Sequence, residues 1–411
     1  MASDGLSTGP ASLVGRGARA GSGIRPVRKA LIVGAGIGGL AAGVALQRSG
    51  WQVRIYERAA SPRELGFALA LAPNAMAALE ELGLSSVIAA AGVTATTFEI
   101  RRTDGRLIRR FTAPPGGVGV IALRAALHGA LLQSVGEDSL ALGAAAASFI
   151  DDGAEVLLKL EDELTDRGDL LVGADGVSSV IRRLLHPDEP PPAASGFFAV
   201  RGLARGAAAH LGDRAGVGYL GDGIEAAMVR ASPDAIYWYL SLMARDVLDW
   251  PRAPHHIVDR LTRQFDPDFR AIAAATAPAD MRFDELFERP PLRTWGAGRV
   301  TLLGDAAHPL LPHTGQGAAQ ALEDAVALGL VLRGDDDLVD ALREYERVRS
   351  RRTRRLIAMG PRIARMTTTR NPMRKIVRTA LVRLVPEFVI RKSVRTTDPH
   401  RSLRQHARPR R

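Results

Sequence analysis

The sequence predicts an α/β fold, in which a parallel sheet with helices is interrupted by a mixed β-sheet and followed by C-terminal helices. Three observations support this prediction. An apolar strand at residues 29–33 leads into a glycine-rich turn, a helix and a second strand ending at Glu57, which is a βαβ unit. Residues 98–110 have the pattern of a β-hairpin, which is foreign to a parallel sheet of this kind. A third apolar strand at residues 299–303 precedes a long helix.

Composition excludes several classes of protein. Hydrophobic residues make up 46% of the 411 residues, which is enough for a sizeable core and argues against wholesale disorder. The chain has no Cys, so a disulfide framework, a Cys-ligated metal site and thiol redox chemistry are excluded. No motif predicts a metal ion.

The net charge of +11 is concentrated at the C-terminus. Residues 348–411 contain 20 Lys and Arg but only two acidic residues, a net charge of +18, so the rest of the chain carries −7. Outside this segment the chain is mildly acidic and lacks the positive charge of a nucleic-acid-binding surface, so we expect no nucleic-acid partner. Residues 1–27 lack the apolar stretch of a secretory signal, so we expect a disordered leader and a cytoplasmic protein.

The turn after the first strand has the spacing Gly34-x-Gly36-x-x-Gly39. The first glycine permits a tight turn, the second lets the backbone approach a pyrophosphate, and the third lets helix and strand pack closely. Glu57 lies 18 residues beyond Gly39 and can accept hydrogen bonds from ribose hydroxyls. The unit predicts an adenine dinucleotide site, with a purely structural turn as the alternative.

The middle of the chain changes from helical to strand-like patterning. Helices are predicted at residues 73–82, 123–133, 316–332 and 337–358, and strands at 154–160 and 169–173. From 197 to 287 the pattern is strand-like and aromatic, notably at 236–240, which predicts a second sheet.

Two further strand ends carry polar motifs. The strand at 169–173 runs into Asp175-Gly176 and a helix capped by Ser, and an ordinary strand-to-helix turn is the alternative interpretation. The strand at 299–303 delivers Asp305, which can bind a ribityl hydroxyl. Residues 315–318 then open a long helix whose N-terminus can face negative charge.

The three motifs, in this order, resemble those of the single-component FAD-dependent aromatic hydroxylases, which include salicylate and hydroxybenzoate hydroxylases. The resemblance covers roughly residues 30–356. It implies a glutathione-reductase-type FAD-binding Rossmann domain with a substrate domain over the flavin. On this resemblance, FAD would be bound by Gly34, Gly36, Ile37, Gly38, Gly39, Glu57, Arg58, Gly66, Ala68, Arg124, Asp175, Gly176, Asp305, Gly315, Gln316, Gly317 and Ala318.

The same resemblance divides the chain into domains. The FAD-binding domain is expected from residues 28–96, 118–190 and 291–347, the substrate domain from 97–117 and 191–290, and a basic helical segment and tail from 348–411.

The activity implied is that of an oxidoreductase. A family member uses NADH or NADPH and O2 to hydroxylate or epoxidise an electron-rich ring through a flavin hydroperoxide. Aromatic, quinolone-like, polyketide-like and isoprenoid small molecules are the candidate substrates. One alternative is a FAD-dependent reductase or dehydrogenase of a lipophilic C=C bond. A remote one is a non-catalytic basic adaptor that binds through residues 348–411.

Candidate catalytic residues lie in two places. Family members carry an Arg-Gly step on the first long substrate-domain strand, which matches Arg201 here, although many relatives have Trp before it and this chain has Val. An exposed strand arginine is the alternative. Pro312 and His313 lie in the loop expected to face the flavin ring, and His313 is a candidate for proton handling. His308 is assigned to a structural turn. Some relatives carry a tyrosine on a nearby strand.

That tyrosine is missing from the matching stretch, residues 226–230. Tyr219, Tyr237 or Tyr239 could replace it, but core packing is the favoured interpretation for each.

The basic tail has an apolar stripe. Residues 376 and 377, 381, and 384 and 385 recur at helical spacing. The favoured interpretation is that the stripe docks on the body and the arginines face water. The alternative is weak association with anionic membrane, peripheral to the inner membrane, giving access to a lipophilic substrate.

Overall fold

The computed structural model describes residues 27–61, 67–113, 119–246, 254–334 and 337–384. Within these residues the chain forms eighteen strands and ten α-helices. The strands are β1 (Lys29–Val33), β2 (Gln52–Glu57), β3 (Ala68–Leu71), β4 (Val93–Thr94), β5 (Thr97–Arg102), β6 (Leu107–Thr112), β7 (Val120–Leu123), β8 (Leu140–Leu142), β9 (Ala146–Asp151), β10 (Val156–Leu160), β11 (Thr165–Gly168), β12 (Leu170–Gly173), β13 (Ala193–Arg205), β14 (Gly216–Leu220), β15 (Ile224–Arg230), β16 (Ala235–Met243), β17 (Met281–Glu288) and β18 (Val300–Leu302). The helices are α1 (Ile37–Gln47), α2 (Pro73–Glu81), α3 (Ser85–Ala91), α4 (Arg124–Val135), α5 (Val180–Leu185), α6 (Pro254–Thr262), α7 (Pro267–Ala274), α8 (Gly317–Val331), α9 (Leu338–Thr367) and α10 (Pro372–Leu384).

A five-stranded parallel sheet forms the first half of the molecule. Its strand order is β18-β12-β1-β2-β8, so the last strand in the chain lies beside strands from the first half. The central strands are continuously apolar because both faces are covered, and α1 packs against α4 and α8. The carboxyl ends of β1, β2, β12 and β18 therefore meet at one edge. Each of the predicted motifs begins at this edge.

A seven-stranded mixed sheet forms the second half. Its order is β17-β13-β16-β15-β14-β5-β6, and all its neighbours are antiparallel except β14 and β5. The predicted hairpin β5–β6 thus joins strands that follow it by about a hundred residues in the chain. Two smaller three-stranded sheets, β11-β10-β9 and β3-β7-β4, complete the fold. The α/β class with an interrupted parallel unit is confirmed.

One face of the mixed sheet is a closed core. Trp238 and Met228 are fully buried there with Phe269 and Ile272 of α7. Alternate residues on the same strands point to the opposite face, because side chains in a strand alternate. That opposite face lines the cavity described below.

Gly202 permits the packing of Trp238, which lies opposite it in the β13–β16 register. A Cβ atom at residue 202 would come within 2.5 Å of the Trp238 ring. Gly202→Ala should therefore destabilise the fold by about 1–3 kcal/mol, the usual cost of overpacking. Urea unfolding measures this change. Gly129→Ala is the matched control, because Gly129 is exposed in α4 with no atom near an added Cβ, and it should leave stability equal or higher. Equal stability of the two variants would contradict the prediction.

The C-terminal helices differ from the sequence prediction in two ways. Helix α9 was expected to end at residue 358 but continues through Pro361 to Thr367. Gly360 and Ala364 pack against Leu311, and this tertiary contact outweighs the cost of a proline in the helix.

The favoured interpretation of the apolar stripe is wrong for the described residues. On α10, Ile376, Val377, Leu381 and Leu384 are between 47% and 77% exposed, so these side chains do not dock on the body. The helix is held instead by Arg378, which donates hydrogen bonds to the carbonyl oxygens of Thr367 and Gly221. Val385 lies outside the described residues.

Candidate functional site

The glycine-rich turn has the geometry that its spacing predicts. Gly34 adopts a φ of +104°, and a Cβ atom there would lie 2.5 Å from the carbonyl oxygen of Ala174. A Cβ atom at Gly39 would lie 1.9 Å from the carbonyl oxygen of Gly34. Only glycine fits either position, so the turn and the start of α1 are held close to β12.

A cavity of about 820 Å³ opens beside this turn. Four glycines line it in positions where an added Cβ would meet no atom within 4 Å: Gly36, Gly176, Gly315 and Gly317. Bare backbone therefore faces the cavity at the start of α1, at the start of α8 and after β12. A large ligand can reach main-chain N–H groups and two positive helix ends at these places. Ile37, Gly38, Ala68 and Ala318 line the same cavity.

Two predicted carboxylates lie at strand ends on this edge of the parallel sheet, of which Asp305 lines the cavity and Glu57 does not. Glu57 ends β2, and its two oxygens accept hydrogen bonds from the backbone N–H groups of Ala35 and Ala59, each at 2.9 Å. Asp305 follows β18, lines the cavity and is exposed to it. No group in the described part of the chain is hydrogen-bonded to the Asp305 carboxylate, which leaves both of its oxygens available to a ligand. Arg124, at the start of α4, lines the cavity as well.

In the Asp175-Gly176 motif, the aspartate side chain stabilises the start of a helix and the glycine backbone faces the cavity. Asp175 accepts hydrogen bonds from the Val180 N–H at 2.6 Å and from the Ser179 hydroxyl at 2.5 Å, so its carboxylate holds the start of α5. Ser179 caps that helix as predicted. It is Gly176, with φ +80°, that faces the cavity.

The far wall of the cavity is the open face of the mixed sheet. In register, Arg201 of β13 lies opposite Tyr239 of β16, and Ala199 lies opposite Ser241. Tyr237, one pleat further along β16, lines the cavity too. Core packing is therefore the wrong interpretation for Tyr239, and it is only partly right for Tyr237, which also packs against a small buried cluster with Leu203. It is right for Tyr219, which is buried and donates a hydrogen bond to Asp266.

The Arg201 guanidinium retains free donors. Its Nη1 atom lies 3.4 Å from Asp284 Oδ2, an ion-pair distance without hydrogen-bond geometry. Within the described ranges the Arg201 side chain makes no hydrogen bond. Asp284 is instead bonded to Arg282 at 2.8 Å. Arg201 can thus donate to a ligand in the cavity without breaking an existing bond.

Comparison with known proteins decides the family. A model described as "FAD binding domain" matches residues 28–359 of the chain. The chain belongs to the FAD-dependent aromatic hydroxylases. It is a FAD-dependent monooxygenase, as its relatives are.

Two curated relatives place this hydroxylase more closely. An aurachin C monooxygenase/isomerase of Stigmatella aurantiaca is 35% identical over 361 residues, covering 86% of this chain and 94% of the relative. A FAD-dependent urate hydroxylase of Klebsiella pneumoniae is 30% identical over 340 residues, covering 80% and 88%. Among solved structures, HpxO of Klebsiella pneumoniae complexed with FAD and uric acid has a TM-score of 0.79 at 27% identity, covering 92% and 96%.

The residues of the hydroxylase fit FAD. The bare glycine backbone at two helix starts suits a pyrophosphate and a ring edge, and the unpaired Asp305 suits a sugar-alcohol chain. Of the other predicted cofactor residues, Arg58 is exposed next to Glu57, Gln316 is the N-cap of α8, and Gly66 lies outside the described residues. The described residues contain no cluster of His, Asp and Glu that could hold a metal ion.

Behind Asp305, the hydroxylase has a buried ionic network that the sequence did not predict. Asp324 of α8 accepts hydrogen bonds from His308 Nε2 at 2.5 Å and from the Gly304 N–H at 3.0 Å. Arg349 of α9 donates to Asp324 and to Glu323, each at 2.6 Å. His308 is therefore structural, as expected. The signal that could have revealed the network is the Glu-Asp pair inside an otherwise apolar helix.

Pro312 and His313 form the cavity wall next to the start of α8. His313 Nε2 is 2.7 Å from the hydroxyl of Ser241, and the ring of Phe197 packs edge-on against the imidazole. Burial, with the positive charge of Arg201, lowers the pKa of His313 to about 4. The imidazole is therefore neutral near neutral pH and can accept a proton only in acid.

Replacing Asp305 with alanine should weaken FAD binding. Loss of a carboxylate acceptor that leaves a ligand hydroxyl unpaired costs about 1–3 kcal/mol, so affinity should fall roughly ten- to a hundredfold. FAD fluorescence during titration of the apoprotein gives the dissociation constant. Asp213→Ala is the control, because Asp213 is exposed and does not line the cavity. Wild-type affinity in the Asp305 variant would exclude this residue as a ligand.

Proposed function

We propose that this hydroxylase uses NADH or NADPH and O2 to hydroxylate or epoxidise an electron-rich, lipophilic ring compound. One observation carries the proposal. A single cavity is lined on one side by bare backbone at two helix starts and on the other by Arg201 and two tyrosines. A redox cofactor on the first wall and a ring substrate on the second would face each other in one enclosed space.

We propose that the ADP half of FAD is held at the turn of residues 34–39 with Glu57, and the ribityl chain at Asp305 and Arg124. The backbone of residues 315–318 would hold the ring. The chemistry supplied by bound FAD is reduction by NAD(P)H followed by activation of O2. The protein has to position the substrate and exclude water, which otherwise diverts the oxygen to hydrogen peroxide.

The second wall is the far wall described above, the open face of the mixed sheet, and its side chains suit those tasks. Arg201 has free N–H donors for an oxygen atom on the ring, and its charge favours an electron-rich, partly anionic substrate. Phe67, Phe98, Val229 and Leu311 give the cavity apolar surface that excludes water. His313, neutral near neutral pH, adds no charge and fixes Ser241.

For the substrate, we favour an electron-rich aromatic ring with a lipophilic part, because the cavity offers apolar side chains beside the Arg201 donor. Quinolone-like, polyketide-like and isoprenoid-bearing rings belong to this class. The apolar lining supports such a compound over a small polar ring such as the urate of the second relative. The cavity also has to accommodate the FAD ring, so the space left suits a compact bicyclic ring.

The test is purification followed by turnover in labelled oxygen. We expect a yellow protein that releases all its flavin on denaturation, and ring compounds that stimulate NAD(P)H oxidation. Mass analysis should show one atom from ¹⁸O2 in the product. A product that gains two hydrogens and no label would instead support the alternative reductase of a C=C bond. A colourless, folded protein that ignores added FAD would support the basic adaptor.

We also propose that this enzyme, expected in the cytoplasm, attaches weakly to anionic membrane through α10. No helix in the described ranges is both long and apolar enough to cross a bilayer. On α10, however, four aliphatic side chains are exposed, and the helix carries Arg374, Lys375, Arg378 and Arg383 but no acidic residue. Exposed apolar side chains among basic ones are typical of a helix that lies in a membrane interface.

Vesicle co-sedimentation of the full-length protein tests the attachment. We expect binding to vesicles with phosphatidylglycerol at about 0.1 M salt and release at about 1 M, because the Debye length falls from about 10 Å to about 3 Å. Ile376→Asp with Leu381→Asp should abolish it. Ile150→Asp, at an exposed position on β9, is the control and should bind normally. No binding by the wild-type protein, or equal binding by the double variant, would overturn this proposal.

A further inference from the structure

A carboxylate lies on the cavity face of the mixed sheet, beside the residues that line the cavity, but does not itself line it. Glu225 lies on β15, opposite Ser241 of β16 in register, and therefore beside the row that contains Arg201 and Tyr239. It is not among the cavity-lining residues, whereas Tyr239 is. None of the roles assigned above uses Glu225.

Both oxygens of Glu225 are occupied by hydroxyl donors. Tyr239 donates its phenolic hydrogen to Oε1 at 3.0 Å, and Thr367, at the end of α9, donates to Oε2 at 2.5 Å. Burial raises the pKa of the Glu225 carboxyl, while these two hydrogen bonds and the nearby charge of Arg378 oppose that rise. Arg378 also donates to the Thr367 carbonyl, which fixes the end of α9 against the β14–β15 turn.

These hydrogen bonds determine whether the Tyr239 hydroxyl can donate to a ligand or accept from it. A phenol has one hydrogen to donate and lone pairs that accept. Because the hydrogen is directed to Glu225, the capacity that remains for a ligand is that of an acceptor. Arg201, opposite Tyr239 on the neighbouring strand, offers only donors. The second wall therefore presents the Arg201 donor beside the Tyr239 acceptor. The carboxylate of Asp284, on the strand at the other side of β13, is a further acceptor that lines the cavity.

We propose that Tyr239, oriented by Glu225, accepts a hydrogen bond from a hydroxyl or N–H group on the substrate ring and so selects ring compounds that carry such a donor. This inference rests on the proposed function, since it places the substrate on this wall. Tyr239 is the residue that touches the substrate, and Glu225 is a positioning residue that acts through it.

The neighbouring polar side chains can be distinguished from Tyr239 by experiment. Asp284 lines the cavity and can accept, but it is held by Arg282 and lies beside Arg201. A preference due to Asp284 would persist in Tyr239→Phe. Tyr237 lines the same cavity but makes no hydrogen bond to a carboxylate within the described residues, so its hydroxyl is free to donate or accept. His313 Nε2 is already engaged with Ser241, and Nδ1 is buried without a partner. Tyr237→Phe is therefore a matched control for Tyr239→Phe, with the same change on the same strand.

The experiment compares two ligands, one with a hydroxyl hydrogen and one without. The FAD-loaded enzyme, without NAD(P)H, is titrated with 1-naphthol and with 1-methoxynaphthalene, and calorimetry gives the dissociation constants. The ether keeps the oxygen that can accept from Arg201 but carries a methyl group in place of the hydroxyl hydrogen, and the Tyr239 variant controls for the added bulk. In wild type we expect naphthol to bind about tenfold more tightly or better, as a hydrogen bond to a fixed acceptor predicts.

Three variants show whether the ligand preference comes from the oriented Tyr239 hydroxyl or from a general change in the fold. Tyr239→Phe should reduce the preference to about twofold or less, Glu225→Gln should weaken it, and Tyr237→Phe should retain it. The red shift in the absorption of bound naphthol, which reports donation by its hydroxyl, should be lost in Tyr239→Phe with FAD content unchanged. Equal binding of the two ligands by wild type, no measurable binding of naphthol, or a preference that persists in Tyr239→Phe would overturn the inference. Since no turnover is involved, a failed oxygenation test leaves this result standing.

Discussion

Replacing Arg201 with alanine should lower ring-stimulated NAD(P)H oxidation and product formation by roughly ten- to a hundredfold. The physical reason is the loss of a charged hydrogen-bond donor in the cavity, worth about 1.5–3 kcal/mol. FAD content should stay at the wild-type level, because Arg201 lies on the sheet wall and not among the strand-end motifs. Steady-state kinetics together with the absorbance of bound flavin measures both quantities.

Arg282→Ala is the matched control for this variant. Arg282 lies opposite Arg201 on β17 and binds the same carboxylate, Asp284, but it does not line the cavity. Its removal should change turnover by less than about threefold, as expected for a half-exposed ion pair. If both variants lose activity equally, the effect belongs to Asp284 or to the sheet, and Arg201 has no separate role. Loss of FAD from the Arg201 variant would also contradict the assignment.

The strand-end motifs could be predicted from sequence because their information is local. The glycine spacing after an apolar strand, or an acid at the end of such a strand, is visible in a stretch of a few residues, even though the atom that excludes a Cβ at Gly34 belongs to the distant Ala174. Gly34, Gly39, Glu57 and Asp305 lie at the predicted turn and strand ends for that reason. Their contacts with FAD stay predictions.

The second wall could not be predicted in the same way. Which residue of β16 faces Arg201 depends on strand register, and a slip of one residue moves every side chain to the other face. The pattern at residues 236–240 shows only that Tyr237 and Tyr239 share a face, opposite to that of Trp238. Glu225 was missed because its partners lie 14 and 142 residues away in the chain.

Sequence patterns also gave the wrong environment for charged and apolar helix residues. An apolar stripe and a row of arginines suggest that the apolar side packs inward, yet on α10 it is Arg378 that is buried and bonded to backbone carbonyls. Similarly, Arg349 belongs to the basic C-terminal segment but lies fully within the core. Backbone carbonyls and carboxylates supplied by other elements make these burials favourable, and no local pattern reports them.

Arg349→Met should cause the largest loss of stability of the changes considered, about 3–5 kcal/mol. Arg349 is 1% exposed and donates hydrogen bonds to Glu323 and Asp324, both fully buried. Removing its charge takes away the cation that the two carboxylates share, leaving Glu323 with the half-buried Arg352 and Asp324 with His308. Leaving buried charge partly uncompensated costs more than the net value of the ion pair itself. Because Asp324 also binds His308 and the Gly304 N–H, the loop that carries Asp305 should loosen and FAD should be released earlier on heating. Differential scanning calorimetry and flavin fluorescence follow the two events.

Arg347→Met controls for loss of an arginine from the same helix. Arg347 is exposed, and among the described residues its side chain bonds to Glu344 one turn earlier and to no other, so its replacement should cost about 0.5 kcal/mol or less. Combining Arg349→Met with Asp324→Asn should recover part of the stability, because one of the uncompensated charges is then gone. The stability lost in Arg349→Met relative to wild type should also be smaller in mildly acidic buffer than at neutral pH. Burial raises the pKa of the Asp324 carboxyl and the charge of Arg349 lowers it, so without Arg349 the folded-state pKa should rise, protonation should favour the folded form, and the stability of the variant should fall as pH increases. Equal unfolding temperatures for Arg349→Met and Arg347→Met, or a pH dependence of the opposite sign, would show that the network does not hold the Asp305 loop.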